Sequence, residues 1–157
     1  MTNYWFISDT HFNHKAILGF KDNGGHQQRP FATVEEMNEV MIENWNKVVK
    51  PQDKIYHLGD VCMGAKTEID GILSRLNGKK RLIFGNHDCG KEKHLAPYFE
   101  KIHGVRHLNI KGFKCVLSHV PIHESCLERF GVNVHGHIHS NELFPVQVSK
   151  KSYKMYV

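Results

Sequence analysis

Val134-His135-Gly136-His137-Ile138-His139 ends an apolar run with two imidazoles, His137 and His139, spaced two apart directly after a glycine. In an extended backbone residues i and i+2 point to the same side, so a strand that stops at Gly136 aims both rings into one pocket. Histidine pairs also occur on wet strands, and the pair alone decides little. Its meaning comes from four other strand-like runs that end the same way. Tyr4 to Ile7 ends in Ser8-Asp9-Thr10-His11, Lys54 to Leu58 in Gly59-Asp60, Lys80 to Phe84 in Gly85-Asn86-His87-Asp88, and Phe113 to Leu117 in Ser118-His119.

Helical signals alternate with these runs. Thr33-Val34-Glu35-Glu36 matches a capping box, with hydroxyl and carboxylate each satisfying a free N–H, and Val34, Met37, Met41, Trp45 and Val48 then mark one face until Pro51. A second helix opens at Thr67, carries Ile69, Ile72, Leu73 and Leu76 on its face, and stops at Asn77-Gly78. Lys91 to His103 reads as a third, with Leu95, Tyr98, Phe99 and Ile102 inward and Pro97 kinking or splitting it. Val105 to Ile110 and Phe113 to Leu117 read as a strand pair joined at Lys111-Gly112, Glu124 to Phe130 as a short helix before Gly131, and Val146 to Val157 as strand-like with a polar break. Strands alternating with helices point to an α/β fold, in which site residues gather at the carboxyl ends of strands.

The 157 residues form one expected domain, 1–157, large enough for a core without staples. No apolar run approaches the ~18 residues of a membrane span. No secretory signal is evident at Met1 to Phe6, so Cys62, Cys89, Cys115 and Cys126 read as reduced thiols and the expected location is cytoplasmic. Cys62 and Cys89 read as packed bystanders. The net charge of +5 comes from scattered Lys and Arg, with no basic stripe and interleaved aromatics, so extended nucleic-acid binding is not supported. The sequence leaves a homo-oligomer open.

If the five strands lie side by side, their ends share one rim. It would hold two carboxylates (Asp9, Asp60), one amide (Asn86) and four imidazoles (His11, His119, His137, His139), besides His87. Oxygen and nitrogen donors of this mix suit borderline divalent ions. Seven donors are too many for one ion and fit two that share a carboxylate. Two ions ~3.5–4 Å apart acidify a shared water and neutralise charge on a phosphoryl group during in-line attack. Gly59, Gly85 and Gly136 would let the backbone turn sharply and a small anion approach. His57, inside an apolar run, reads as a packed structural histidine. In the polar Phe12 to Pro30 loop, Arg29 and His14 are candidate substrate-binding residues, Arg29 by its planar fork.

In this order, Asp9-x-His11, Gly59-Asp60, Gly85-Asn86-His87-Asp88, His119 and Gly136-His137-x-His139 resemble the motifs of the calcineurin-like metallophosphoesterase superfamily, over most of the chain. The resemblance implies two packed mixed β-sheets flanked by helices, a four-layer αββα sandwich. It implies one metal on Asp9, His11, Asp60 and His139, a second on Asp60, Asn86, His119 and His137, and Asp60 as the bridge. The ions would be Mn²⁺ first, with Fe, Zn or Ni as alternatives. His87 resembles the family's phosphate-contacting acid. Met63 stands where members that dephosphorylate proteins carry an aspartate orienting that acid. That argues against a protein serine/threonine phosphatase, and the small chain resembles compact bacterial and phage members assigned as phosphodiesterases, so the activity the resemblance implies is a phosphodiesterase acting on a small phosphodiester or nucleotide. The alternatives are a phosphomonoesterase, a nuclease, or a catalytically silent scaffold. The resemblance also implies a C-terminal edge that is abbreviated or completed by a partner.

Overall fold

The computed structural model describes residues 2–110 and 112–139. The expectations for Lys111 and for the tail from Val146 to Val157 lie outside those residues. Two sheets carry the chain. The first orders β1 (Tyr4–Ile7), β2 (Lys54–His57), β3 (Lys79–Ile83) and β4 (Lys101–His103), all parallel. The second orders β5 (Val105–Ile110), β6 (Phe113–Ser118) and β7 (Val132–Val134), with β5 antiparallel and β7 parallel to β6. Two mixed sheets were expected; the first is purely parallel among the described residues.

The first sheet is buried on both faces, which is why its central strands read as unbroken apolar runs. On β2, Ile55 packs with Leu82 of β3 against the helices, while Tyr56, with Leu58 just past the strand and Ile83 of β3, faces Leu117 of the second sheet. Burial of each such aliphatic side chain contributes about 1.5–3 kcal/mol. The helical layer is α1 (Val34–Val48), α2 (Lys66–Leu73) and α3 (Glu92–Leu95). A short α4 (Leu127–Phe130) precedes β7 and ends at Gly131, whose φ of 82° is left-handed.

Four expectations need correction. The inward face of α1 is Met37, Asn38, Ile42 and Trp45, while Val48 is exposed and Val49 beyond the helix is buried. The helix expected over 91–103 is α3, a 3-10 turn at Ala96–Tyr98 and then strand β4. Pro97 offers no N–H to continue a helix, and Glu100 N instead donates to Lys80 O at 2.8 Å, opening the β3–β4 pairing. The strand read as buried at Tyr4 to Ile7 lies at the edge of its sheet among the described residues, with Tyr4 exposed and Trp5, Phe6 and Ile7 half-buried. In the capping box of α1, Thr33 Oγ1 accepts from Glu36 N at 3.1 Å, but the Glu36 carboxylate accepts from Ala32 N, one residue earlier than the motif prescribes.

Candidate metal centre

The strands stop before the site begins. β1 ends at Ile7, β2 at His57 and β7 at Val134, so the donors sit on loops that leave the sheets together. The exit of β1 runs beside the exit of β2: Asp9 N donates to Gly59 O, His11 N to Asp60 O and Phe12 N to Val61 O, each at 3.0 Å. Gly136 N donates to His119 O at 2.9 Å and ties the β7 exit to the β6 exit. Further bonds cross between the exits of the two sheets, among them two that involve backbone groups. His137 N donates to Asp9 Oδ2 at 2.9 Å, and His119 Nδ1 to Leu58 O at 2.7 Å.

The i, i+2 spacing works differently from the extended-strand expectation. Asp9, His11, Asn13, Asp60, His137 and His139 all have left-handed φ, between 46° and 72°. Such residues cost roughly 1–2 kcal/mol each, least for Asp, Asn and His, and cluster where a site over-determines the backbone. The turns send the two rings of His137-x-His139 to different places. His139 joins Asp9 and His11, and His137 joins Asp60 and His119.

In the first cluster, Asp9 Oδ1 lies 3.8 Å from His11 Nε2 and 3.7 Å from His139 Nε2. In the second, His119 Nε2 lies 2.9 Å from Asn86 Oδ1, and the same amide oxygen lies 3.1 Å from His137 Nδ1. Asp60 stands between them, with Oδ2 at 3.7 Å from His11 Nε2 and 3.3 Å from His119 Nε2. Its other oxygen is engaged, accepting from His87 N at 2.8 Å. Buried polar atoms are normally hydrogen-bonded; Asp9 Oδ1 and His11 Nε2 are buried and bonded to nothing. Donor atoms spaced this way fit the corners of a small cation's coordination shell, and the oxygen–nitrogen mix suits Mn²⁺, Fe²⁺, Zn²⁺ or Ni²⁺.

Electrostatics keep Asp60 and His11 in ligand-ready forms, whereas at His119 burial, which lowers the pKa, is outweighed by the Asp60 contact and the Leu58 carbonyl, which raise it. Burial raises the Asp60 pKa, but the His119 contact, the His87 N–H and the charge of His11 outweigh it and hold the carboxyl at about 2. Burial pulls His11 down to about 4 against the attraction of Asp60 and Asp9, so its imidazole is neutral at neutral pH. Carboxylate and neutral imidazole are the forms that bind cations.

The glycines serve the protein itself. A Cβ on Gly136 would land on Ser8 Oγ and Asp9 Oδ2, and one on Gly85 on Asp60 Oδ1. At Gly85 and Gly136 the close approach is made by the chain's own carboxylates, and at Gly59 by the His119 ring. Only Gly59 of the three also has a left-handed φ, 99°.

His87 stands exposed at the rim, its ring centroid 5.3 Å from His11 and 6.2 Å from His14. Where the resemblance would place an orienting aspartate, Met63 Sδ lies 3.2 Å from Lys91 Nζ, and that ammonium also donates to Cys62 O at 2.8 Å and His87 O at 2.7 Å. Arg29 Nη2 donates to Asp9 O at 2.9 Å, so the guanidinium braces the Asp9 turn from behind. His14 is half-buried beside His11. His57 packs edge-on to Phe99, accepts from Gly59 N at 3.2 Å through Nδ1 and meets Thr10 Oγ1 at 2.9 Å, a structural role as expected. Cys62 is buried and its thiol is pushed up to about 12 by burial, which leaves it unreactive.

Asp88 carried no assigned role in the sequence. It is fully buried, and its carboxylate accepts from Asp60 N, Val61 N and Gly85 N, each at 2.9 Å. Burial pushes its pKa up while those three N–H groups pull it down. It binds the β2 and β3 exits into one unit. A carboxylate two residues after a ligand, in a loop that leaves a buried strand, was the available signal.

No family model matches the chain. It is 37% identical over 145 residues to the uncharacterized protein MJ1445 of Methanocaldococcus jannaschii, covering 91% of this chain and 73% of that protein. The Gene 66 protein of Mycobacterium phage L5 is 36% identical over 91 residues, 56% of this chain and 41% of the phage protein. The crystal structure of the protein of unknown function AQ665 from Aquifex aeolicus matches with a TM-score of 0.70 at 32% identity, over 90% of this chain and 81% of that one.

Proposed function

The chain belongs to the family of the uncharacterized protein MJ1445, and from its paired donor clusters we propose that it is a binuclear-metal phosphodiesterase of the calcineurin-like metallophosphoesterase type. The observation that carries this reading is Asp60 Oδ2, one anionic atom facing His11 Nε2 at 3.7 Å and His119 Nε2 at 3.3 Å. Asp9, His11, His139 and Asp60 would hold one ion, and Asp60, Asn86, His119 and His137 the other, Mn²⁺ being the first choice. Bound there, two ions supply Lewis acidity that acidifies water and neutralises charge on phosphoryl oxygens. The α4 helix beside the second sheet is compatible with a four-layer αββα arrangement.

His87 is the chain's own acid in this scheme. Its backbone is pinned by Asp60 Oδ1 on the N–H and by Lys91 Nζ on the carbonyl, which places the exposed ring at the rim 5.3 Å from His11. From there it donates a proton to the leaving oxygen. A diester is favoured over a monoester by hydrogen bonding. Arg29 and Lys91 spend donors on backbone carbonyls, and so offer few N–H groups to the additional unshared oxygen of a monoester. The substrate is a small phosphodiester or nucleotide.

The test is hydrolysis of bis(p-nitrophenyl) phosphate with Mn²⁺ and with EDTA. Turnover that requires Mn²⁺ and stops in EDTA is expected. On an ester with a poor leaving group, His87→Ala should cost about 10²–10⁴-fold. Silence on diesters with every divalent ion, while a monoester is cleaved, would overturn the diester reading.

A further inference from the structure

Three aromatic rings lead outward from the first cluster. His14 lies 5.3 Å from His11, and Phe20 meets His14 at 5.7 Å with an interplanar angle of 89°. Rings that meet edge to face do not stack, and Phe20 remains 46% exposed. A single exposed phenylalanine is ordinary; the backbone of this one is hydrogen-bonded on both sides. Ile17, fully buried, anchors the turn before it. Phe20 N donates to Ile17 O at 3.1 Å, Gln28 N donates to Phe20 O at 2.9 Å, and Lys21 bridges to Gln27.

His14 is aimed by a buried clamp. Asn38, on the inward face of α1, accepts from Asn13 N at 3.0 Å and donates to Asn13 Oδ1 at 2.5 Å. Burying an amide among apolar neighbours is costly unless it is paired. Both polar ends of Asn38 are engaged with Asn13, the left-handed residue that directs the next side chain, His14. The clamp thus fixes the angle of the wall.

Resting on the phosphoesterase reading above, we propose that His14 and Phe20 form a subsite for a flat aromatic group, a nucleobase or an aryl ring, carried on the substrate phosphate. His14 is the positioning residue that sets Phe20 against the donor clusters, and Phe20 supplies the surface on which the ring lies. Stacking suits this place because every nucleobase and aryl ring has a π-face, so the subsite selects flatness without selecting sequence.

Three esters with one non-aromatic leaving group test it: methyl, benzyl and thymidine 5′ 2,2,2-trifluoroethyl phosphate, with trifluoroethanol release read by fluorine NMR. The quantity read is KM for each ring ester relative to the methyl ester. Wild type should favour the ring esters. Phe20→Ala should erase about 5- to 150-fold of that preference, and Phe20→Trp should restore it. The benzyl and thymidine arms separate a general aryl subsite from one that needs a nucleoside. A preference unchanged in Phe20→Ala, or no preference in wild type, overturns the proposal. If all three esters are inert, the phosphoesterase reading has failed, and the subsite is read by equilibrium binding of AMP against ribose 5-phosphate. Tighter binding of AMP that Phe20→Ala abolishes supports the ring subsite on its own, and equal or absent binding overturns it.

Discussion

Asp88→Asn is the sharpest perturbation of the frame beneath the site. Asp88 Oδ2 accepts from Asp60 N and Gly85 N, and Oδ1 accepts from Val61 N. An amide is the same size but has one acceptor. With its oxygen in the Oδ2 position it keeps two bonds and turns an NH₂ toward the Val61 N–H. The change loses one charge-assisted bond and leaves a buried donor facing a donor, together about 3 kcal/mol. For a chain of this size that lowers Tm by roughly 6–12 °C. The second effect is local. Asp60 sits in a left-handed turn at φ 58°, and a loosened N–H lets it relax away from the geometry that faces both clusters. Calorimetry in EDTA isolates the stability term, and Mn²⁺ titration reads the local one. A variant that melts within about 2 °C of wild type in EDTA would refute the role given to Asp88.

Other outcomes follow from the same geometry. Gly136→Ala drives a methyl group onto Ser8 Oγ and Asp9 Oδ2; Mn²⁺ affinity should fall at least tenfold while far-UV circular dichroism stays native, and unchanged affinity would contradict the packing. Stability should decline on the acid side because His57 is held neutral: burial lowers its pKa from 6.5 to about 3. The unfolded chain takes up a proton below pH 6.5 that the folded chain refuses, so stability is lost as pH falls from 6.5 toward 3, at up to about 1.4 kcal/mol per pH unit. Urea melts of His57→Gln should show a shallower slope in that window, and parallel slopes would count against a neutral buried ring. Mn²⁺ at a hundred times its Kd should add about 2.7 kcal/mol of stability over EDTA, and Asp60→Asn should remove most of that gain in a thermal shift assay.

The donors were legible because strand exits in an α/β chain expose whatever follows the apolar run. Asp9, His11, Asp60, Asn86, His119, His137 and His139 could be read off by type and place. Their division between two clusters was implied by the family resemblance and not by their spacing. Period-two alternation puts His137 and His139 in one pocket, whereas left-handed turns at both residues divide them between clusters. Left-handed φ at Asp, Asn and His leaves no mark on a hydropathy pattern. Asp88 looked like another polar loop residue, and its three N–H partners come from segments brought near only by the parallel pairing of β2 and β3. The face of α1 shifted for a related reason. Val48 fits the helical stripe, but the described core reaches Ile42 and Val49. Asn38 was passed over as polar, although it is buried because it serves the His14 turn.

The central claim is that one Asp60 oxygen joins two ion sites, and electron paramagnetic resonance of the Mn²⁺-loaded protein tests it most directly. Two Mn²⁺ per chain bridged by Asp60 should give the signal of an exchange-coupled pair, and Asp60→Asn should convert it to that of isolated ions. An isolated-ion signal from wild type at full loading, or saturation at one Mn²⁺ per chain, would contradict the account.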